Sequence, residues 1–329
     1  MHPLLELGIT RVPCPVPFPE AGGPANVYAI EEADGGVALF DAGIGTPLGE
    51  AALRDGLRAL GLHFKDVRRV YLSHGHVDHY GLAQSVSEES GAPVFIHEAD
   101  RDKVERPAEE WRRSRGAYQG YLRRLGVDED ALELLERGHR QVLTLARPIE
   151  HTRPVEAGET LQFARFSATV LHSPGHTPGL TCLHVASHGL LFSDDHLLER
   201  VSPNPLLEIG AAGEAAKFRS LATYLKTLAK TRELELSLIL PGHAQPFHDH
   251  RRVIDGLLGF YAGRQARLLE KLAEGPKTAL ELVQHVFPRV GVAALFLTLS
   301  EIVGNLEVLE ERGQVAMLPP APLYRWQLV

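Results

Sequence analysis

Four potential metal ligands, His74, His76, Asp78 and His79, stand together in the stretch Tyr71-Leu72-Ser73-His74-Gly75-His76-Val77-Asp78-His79-Tyr80-Gly81. Neutral imidazole nitrogen and carboxylate oxygen suit zinc, and several of them share one short loop only if a metal offsets their crowding. The chemistry they offer is coordination of cations and, through the cations, activation of water. A solvated polar turn with incidental histidines suits any one of these residues taken alone better than it suits their density and order together.

These ligands need a rigid base. The run Val67 to Ser73 reads as a buried strand that stops where the ligands begin. They therefore fall on a strand-end loop. His74 and His76, two apart in extended chain, can point to one side, and Asp78-His79 follow as the chain turns toward a helix. Two ligand pairs suggest two metals.

His-Xaa-His-Xaa-Asp-His after a strand resembles the signature of the metallo-β-lactamase superfamily. The resemblance continues in Ser173-Pro174-Gly175-His176-Thr177-Pro178-Gly179, which implies His176 as the third histidine of the first metal. In Leu190-Leu191-Phe192-Ser193-Asp194-Asp195-His196 it implies Asp195 as the bridging carboxylate, with Asp194 where Gly is common. Leu238-Ile239-Leu240-Pro241-Gly242-His243 matches the last ligand, and Phe40-Asp41-Ala42-Gly43 resembles an early structural aspartate that is not counted as a ligand. The implied set is His74, His76 and His176 around one metal, Asp78, His79 and His243 around the other, and Asp195 between them. Every ligand follows an apolar run, as ordered strands must if they are to bring distant loops to one edge of a sheet. The resemblance covers roughly residues 20 to 250. It implies an α/β fold, a four-layer αββα sandwich, holding two Zn²⁺, with Fe or Mn as other possible metals.

Composition agrees with a soluble enzyme. A chain of 329 residues with 44% hydrophobic content can bury a large core, in one big domain plus a small one. It has no stretch of about eighteen uninterrupted apolar residues and no charged-then-apolar leader, so no membrane partner is expected and the place is cytoplasmic. Cys14 and Cys182 are the only cysteines, which excludes a disulfide framework, and Cys182 within Leu180 to Val185 reads as a small buried hydrophobe. The formal charge of −8 argues against general attraction to nucleic acid or anionic membrane, though a local basic patch is compatible with it.

Along the chain, the strands Asn26 to Ile30 and Val37 to Asp41 precede a helix through Leu48 to Leu60 that ends near Gly61. After the ligand loop come a helix around Leu82 to Ser90, the strand Pro93 to His97 and a mainly helical insertion at about 98–147. The insertion carries Arg112, Arg113, Arg115, Tyr118, Tyr121, Arg123 and Arg124, which could lean over the metals to grip an anionic substrate. The same pattern also fits a solvated helix face with tyrosines packed beneath it. Strand signals in Leu161 to Leu171 and Thr181 to Phe192 lead to the rigid loop Ser202-Pro203-Asn204-Pro205 and a helix from about Ala215 to Ala229.

From about Arg251 the character changes: a helix to Leu272, a Gly275-Pro276 break, the capping-box pattern Thr278-Ala279-Leu280-Glu281, and a third helix through Ala293 to Glu311. The strands Val315 to Leu318 and Leu323 to Leu328, separated by Pro319-Pro320, could form a β-wing. The expected division is therefore 1–250 as the catalytic domain and 251–329 as a winged-helix-like domain. DNA is not the expected partner, because Glu301, Glu307, Glu310 and Glu311 on the third helix would meet phosphate with repulsion. Packing, dimerisation to a homodimer, or a wall of the substrate cleft suits this tail better. Core and tail together resemble the subgroup named β-lactamase-like protein 2 and, more loosely, the glyoxalase II hydrolases.

The resemblance implies hydrolysis by a water whose pKa two Zn²⁺ ions lower, with Asp78 and Asp195 orienting it. His196, beside the bridging carboxylate, is a candidate for proton transfer, or else a packed histidine. A thioester or related acyl substrate ranks first. Single-stranded RNA cleavage ranks second, supported by the Arg/Tyr insertion and weakened by net charge. A β-lactam ranks last among substrates. A diiron redox protein is the alternative outside hydrolysis, and no flavin-binding segment accompanies it.

Overall fold

Side chains alternate across each strand, and this alternation sorts the apolar residues into layers. In the computed structural model, which describes residues 3–329 apart from 204, 211, 215, 216, 290, 292, 293, 320 and 321, two mixed sheets lie face to face. The first has the order β1 (Ile9–Cys14), β2 (Ala25–Glu31), β3 (Val37–Phe40), β4 (Val67–Tyr71), β5 (Val94–Ile96), β6 (Thr152–Pro154). It is antiparallel from β1 to β3 and parallel from β3 to β6. The second contains β7 (Thr160–Gln162), β8 (Ser167–His172), β9 (Thr181–Val185), β10 (Leu190–Asp194) and β11 (Leu238–Pro241), in the order β11-β10-β9-β8-β7. Only its β10–β11 pair is parallel.

Tyr28, Ile30, Ala38 and Phe40 of the first sheet pack against Val170, Leu183, Val185 and Phe192 of the second. Their neighbours Val27, Ala29, Val37 and Leu39 face outward onto the helices Pro47–Arg58 and Ala83–Ser90. Thr46 caps the first of these by accepting the Gly49 N–H at 3.1 Å, with Pro47 in its first turn. Cys182, Leu191 and Ile239 on the opposite outer face pack against Ser220–Arg232 and the first half of His250–Leu272. Helix, sheet, sheet and helix are thus the four layers expected.

The insertion folds as Arg101–Glu105, Pro107–Arg124 and Glu129–Leu143. Its Tyr121, Leu122, Leu125 and Leu132 share one apolar cluster with Leu268, Leu272 and the tail helices Ala279–Val286 and Leu295–Glu311. The capping box forms: Thr278 Oγ1 accepts the Glu281 N–H at 3.2 Å, and Glu281 Oε2 accepts the Thr278 N–H at 2.6 Å. The tail ends in the antiparallel pair β12 (Val315–Met317) and β13 (Trp326–Leu328). Of the positions named as element limits or turns from sequence, Asn204, Ala215, Ala293 and Pro320 lie outside the described residues. The glutamates of Leu295–Glu311 are taken up inside the molecule: Glu301 pairs with Arg264, Glu307 with Lys217, and Glu310 with Arg219.

The insertion's basic residues are likewise occupied. Arg113 bonds Asp102, Arg115 bonds Glu136, Arg123 bonds Glu129 and Arg124 bonds Glu214, with Tyr121 buried beneath. Of the two readings of this pattern, these ion pairs favour the solvated helix face. Each of these four has a carboxylate at hand, and the packed-face alternative is the arrangement observed.

Phe192 joins the sheets, its ring centroid 5.2 Å from that of Tyr28 and 5.7 Å from that of Phe40. Phe192→Ala is expected to lower unfolding stability by about 3–5 kcal/mol in a denaturant titration. A loss under about 1 kcal/mol would show that the sheets do not depend on this contact.

Candidate metal centre

Parallel neighbours end on the same side, and that is what gathers the ligand loops. Asp41 follows β3 and the His74 loop follows its parallel neighbour β4. Asp195 follows β10, and His243 follows β11, parallel to it. The two sheet edges are tied where the Asn26 side chain and the Tyr28 hydroxyl each donate to the Pro241 carbonyl at 2.8 Å. His79 is tied in turn, because its carbonyl accepts the Ala42 N–H at 2.7 Å.

The seven expected ligands meet. His74, His76, His176 and Asp195 offer atoms within 4.8 Å of one another, as do Asp78, His79 and His243. His76 Nδ1 lies 2.9 Å from both His74 Nε2 and His176 Nε2. Asp195 faces both groups: its Oδ2 is 3.4 Å from His176 Nε2 and 3.6 Å from His79 Nε2, and its Oδ1 is 3.6 Å from His243 Nε2. Asp78 Oδ2 is 3.5 Å from His243 Nε2. Bonds of about 2.0–2.1 Å to a tetrahedral ion place ligand atoms about 3.3 Å apart, close to these separations.

A metal fits this donor set for a further reason. His79 Nε2 and Asp195 Oδ1 are buried without a hydrogen-bond partner among the described residues. Polar atoms left so would cost stability, and coordination satisfies them. Burial lowers the pKa of His76 well below the ordinary imidazole value, and His74 and His176 push the same way, so His76 is neutral and ready to ligate. Burial would also lower His79, but Asp194, Asp78 and Asp195 outweigh it and raise the value well above normal. These carboxylates call for positive charge at that spot.

Two further carboxylates stand behind the ligand rings. Asp41 Oδ2 is 3.1 Å from His79 Nδ1, and its Oδ1 accepts the Ser73 N–H at 2.8 Å. Asp194 Oδ1 lies 3.3 Å from His74 Nδ1 and 3.4 Å from His79 Nδ1. Such partners hold each ring so that Nε2 faces the metal. Both aspartates adopt positive φ, 64° and 47°, which a short polar side chain tolerates. Burial and the Asp194 charge raise Asp41, while His79 and hydrogen bonding carry Asp194 down against its burial. Asp195 thus stands between the two groups of histidines, and Asp194 lies behind the rings of His74 and His79.

His196 does not join the cluster. Its ring is fully buried, Nε2 is 2.8 Å from Thr231 Oγ1, and the ring packs edge-on against Tyr224. Burial pushes its pKa down to about 4. The proton-transfer role expected of it finds no geometric support, because its nearest polar partner is on the helix behind the sheet.

A cavity of about 1060 Å³ has His76, Asp78, His176, Asp195 and His243 in its wall. The insertion and tail line it with Trp111, Leu122, Leu132, Leu135 and Phe296, and the loop after Asp195 adds Leu207. Its charged lining is mainly acidic beyond the ligands: Glu20, Glu110, Glu136 and Glu208 against Lys103 and Arg137. Asp100, which sequence reasoning placed at the start of the insertion without a role, is fully buried beside the ligand loops.

Comparison with known proteins agrees with this geometry. Residues 21–243 match the sequence profile described as the metallo-beta-lactamase superfamily. The chain is 29% identical over 295 residues to the probable metallo-hydrolase YqjP of Bacillus subtilis (strain 168), covering 90% of each protein. It is 25% identical over 244 residues to the acyl-coenzyme A thioesterase MBLAC2 of Gallus gallus, covering 71% of this chain and 77% of that one. The crystal structure of the metallo-beta-lactamase family protein TTHA1429 from Thermus thermophilus superposes with a TM-score of 0.80 at 31% identity, covering 98% of this chain and 99% of the other.

Elemental analysis of protein purified without chelator is expected to find about two metal ions per chain, and His243→Ala to reduce this to about one. A folded protein that takes up none would refute the site. His196 generates a second expectation. Its folded pKa of about 4 lies below an unfolded value of about 6.5, so the unfolded chain binds the proton first. Its contribution is present above about pH 6.5, falls as the pH drops toward 4 and is lost below, up to roughly 3 kcal/mol. In metal-free protein, His196→Gln is expected to flatten the stability–pH curve across that window; an unchanged slope would contradict the burial.

Proposed function

This chain belongs to the metallo-β-lactamase superfamily, and from that premise we propose that it hydrolyses a thioester or related acyl compound at a dinuclear zinc centre. The observation that carries the substrate class is the cavity. It runs along the ligands and is walled by leucine and aromatic side chains, which suit an apolar acyl part rather than a polyanion. An RNA strand would have to lie against Glu20 and Glu110, while the lining cations Lys103 and Arg137 are already paired with Glu208 and Glu133, the reverse of what phosphate binding needs. The name of the relative MBLAC2, an acyl-coenzyme A thioesterase, supports the same class.

Zinc, when bound, lowers the pKa of a water and polarises a carbonyl. This chain's residues do the rest. His74, His76, His176 and Asp195 would hold one ion, and Asp78, His79 and His243, with Asp195 beside them, the other. We assign to Asp78 and Asp195 the orientation of the attacking water, since Asp195 faces the histidines of both groups and Asp78 Oδ2 lies 3.5 Å from His243 Nε2. Asp41 and Asp194 fix the histidine rings, and the insertion excludes water from the acyl part. Residues 251–329, taken as a winged-helix-like unit, wall the cavity through Phe296 and Leu297 instead of reading DNA. No helix among the described residues is long and apolar enough to cross a membrane. The buried unpaired thiols of Cys14 and Cys182 suit the reducing cytoplasm in which we place the enzyme.

His76→Ala and Asp195→Ala are each expected to abolish hydrolysis while leaving the fold intact by circular dichroism. The substrate is tested with a panel of acyl thioesters, lactones and short RNAs at two salt concentrations. Turnover of thioesters that is insensitive to salt is expected; cleavage of RNA that weakens steeply with salt would overturn the acyl assignment.

A further inference from the structure

The three histidines of the first metal come from different sheets: His74 and His76 follow β4, whereas His176 follows β8. Strand pairing within a sheet does not set the distance between them. Asp100, in the turn Glu98–Asp100, joins the two loops. Its Oδ2 accepts the Gly75 N–H at 3.0 Å and the Thr177 hydroxyl at 2.6 Å, and its Oδ1 accepts the Gly179 N–H at 3.1 Å. Gly75 lies between His74 and His76, and Thr177 follows His176. One buried carboxylate therefore grips both sides of the site.

The surroundings are shaped to it. A Cβ at Gly179 would stand 2.7 Å from Asp100 Cγ and 2.8 Å from its backbone nitrogen, and a Cβ at Gly75 would stand 2.9 Å from Lys103 Cβ. The Lys103 ammonium, 3.6 Å from Asp100 Oδ1, balances the buried charge, and it bonds Glu208 across the cavity wall. Two backbone N–H groups and a hydroxyl all need an acceptor here. An ionised carboxylate serves all three at once, with charge-assisted strength.

We propose that Asp100 is the positioning residue of the first metal, setting the spacing of His74, His76 and His176; this rests on the dinuclear centre proposed above. Coordination tolerates errors of only about 0.2 Å in bond length, so loops free to separate would hold that ion poorly. Asp100 accepts no hydrogen bond from the second metal's ligands Asp78, His79 and His243 among the described residues, and these should be spared. Asparagine cannot substitute, because its amide would turn a donor toward one of the donors that Asp100 accepts.

The test is zinc titration of metal-free protein in competition with a chromophoric chelator, which reads binding without activity. Wild type should show two binding events. Asp100→Asn should weaken one of them by about 10–100-fold and leave the other within about 2-fold. Thr177→Val, which removes a single bond and keeps the side-chain shape, should weaken the same event by less; it carries the test alone if Asp100→Asn does not fold. Unchanged affinities in the variants, or equal weakening of both events, would overturn the role of Asp100. Failure of the underlying assignments shows elsewhere: fewer than two events in wild type would remove the dinuclear centre, and two events without acyl hydrolysis would remove only the thioesterase.

Discussion

Imidazole nitrogens 2.9 Å apart, with a carboxylate among them and little access to water, cannot all be satisfied by one another. Neutral histidine has a single N–H to give, and ionised aspartate has none. His76 Nδ1 faces two ring nitrogens and can bond only one. A cation placed among these atoms turns mutual obstruction into mutual attraction, and this is the constraint on which the rest of the structure depends. Asp194, held below the ordinary carboxylate range by His79 despite its burial, adds negative charge behind the rings and strengthens the same demand.

The layered fold supplies the rigidity that such crowding needs. Phe192 and its partners lock the sheets face to face, so that loops from β4, β8, β10 and β11 open on one edge. The insertion and the tail add a second function. They share an apolar cluster of their own, and their inner residues roof the ligands to form the cavity. The ion pairs Arg124–Glu214, Lys217–Glu307 and Arg264–Glu301 join segments distant in sequence, so these charges are taken up within the molecule.

Much of this was legible in the sequence. Spacing after a strand was enough to group His74, His76, Asp78 and His79, and the resemblance to the metallo-β-lactamase superfamily added His176, Asp195 and His243, each of which also follows an apolar run. The partners of Asp100 were not legible, since Thr177 is 77 positions away and nothing local marks a carboxylate that will bridge two loops. His196 left two readings open: it adjoins Asp195 in sequence, and only the turn after the left-handed Asp194, which sends its ring toward Thr231 behind the sheet, favours the packed histidine. The insertion arginines left two readings open because their carboxylate partners, such as Glu136 and Glu214, lie on other elements and no periodicity shows them. The Asp194 departure from Gly was visible, whereas its service to two ligand rings at once was not.

The central claim is that these side chains clasp two cations rather than one or none. Anomalous diffraction recorded on either side of the zinc absorption edge, from crystals of the zinc-loaded protein, tests it most directly. Two peaks are predicted, one among His74, His76, His176 and Asp195 and the other among Asp78, His79, His243 and Asp195. A single peak, or zinc bound elsewhere with these side chains hydrogen-bonded only to water, would contradict the account.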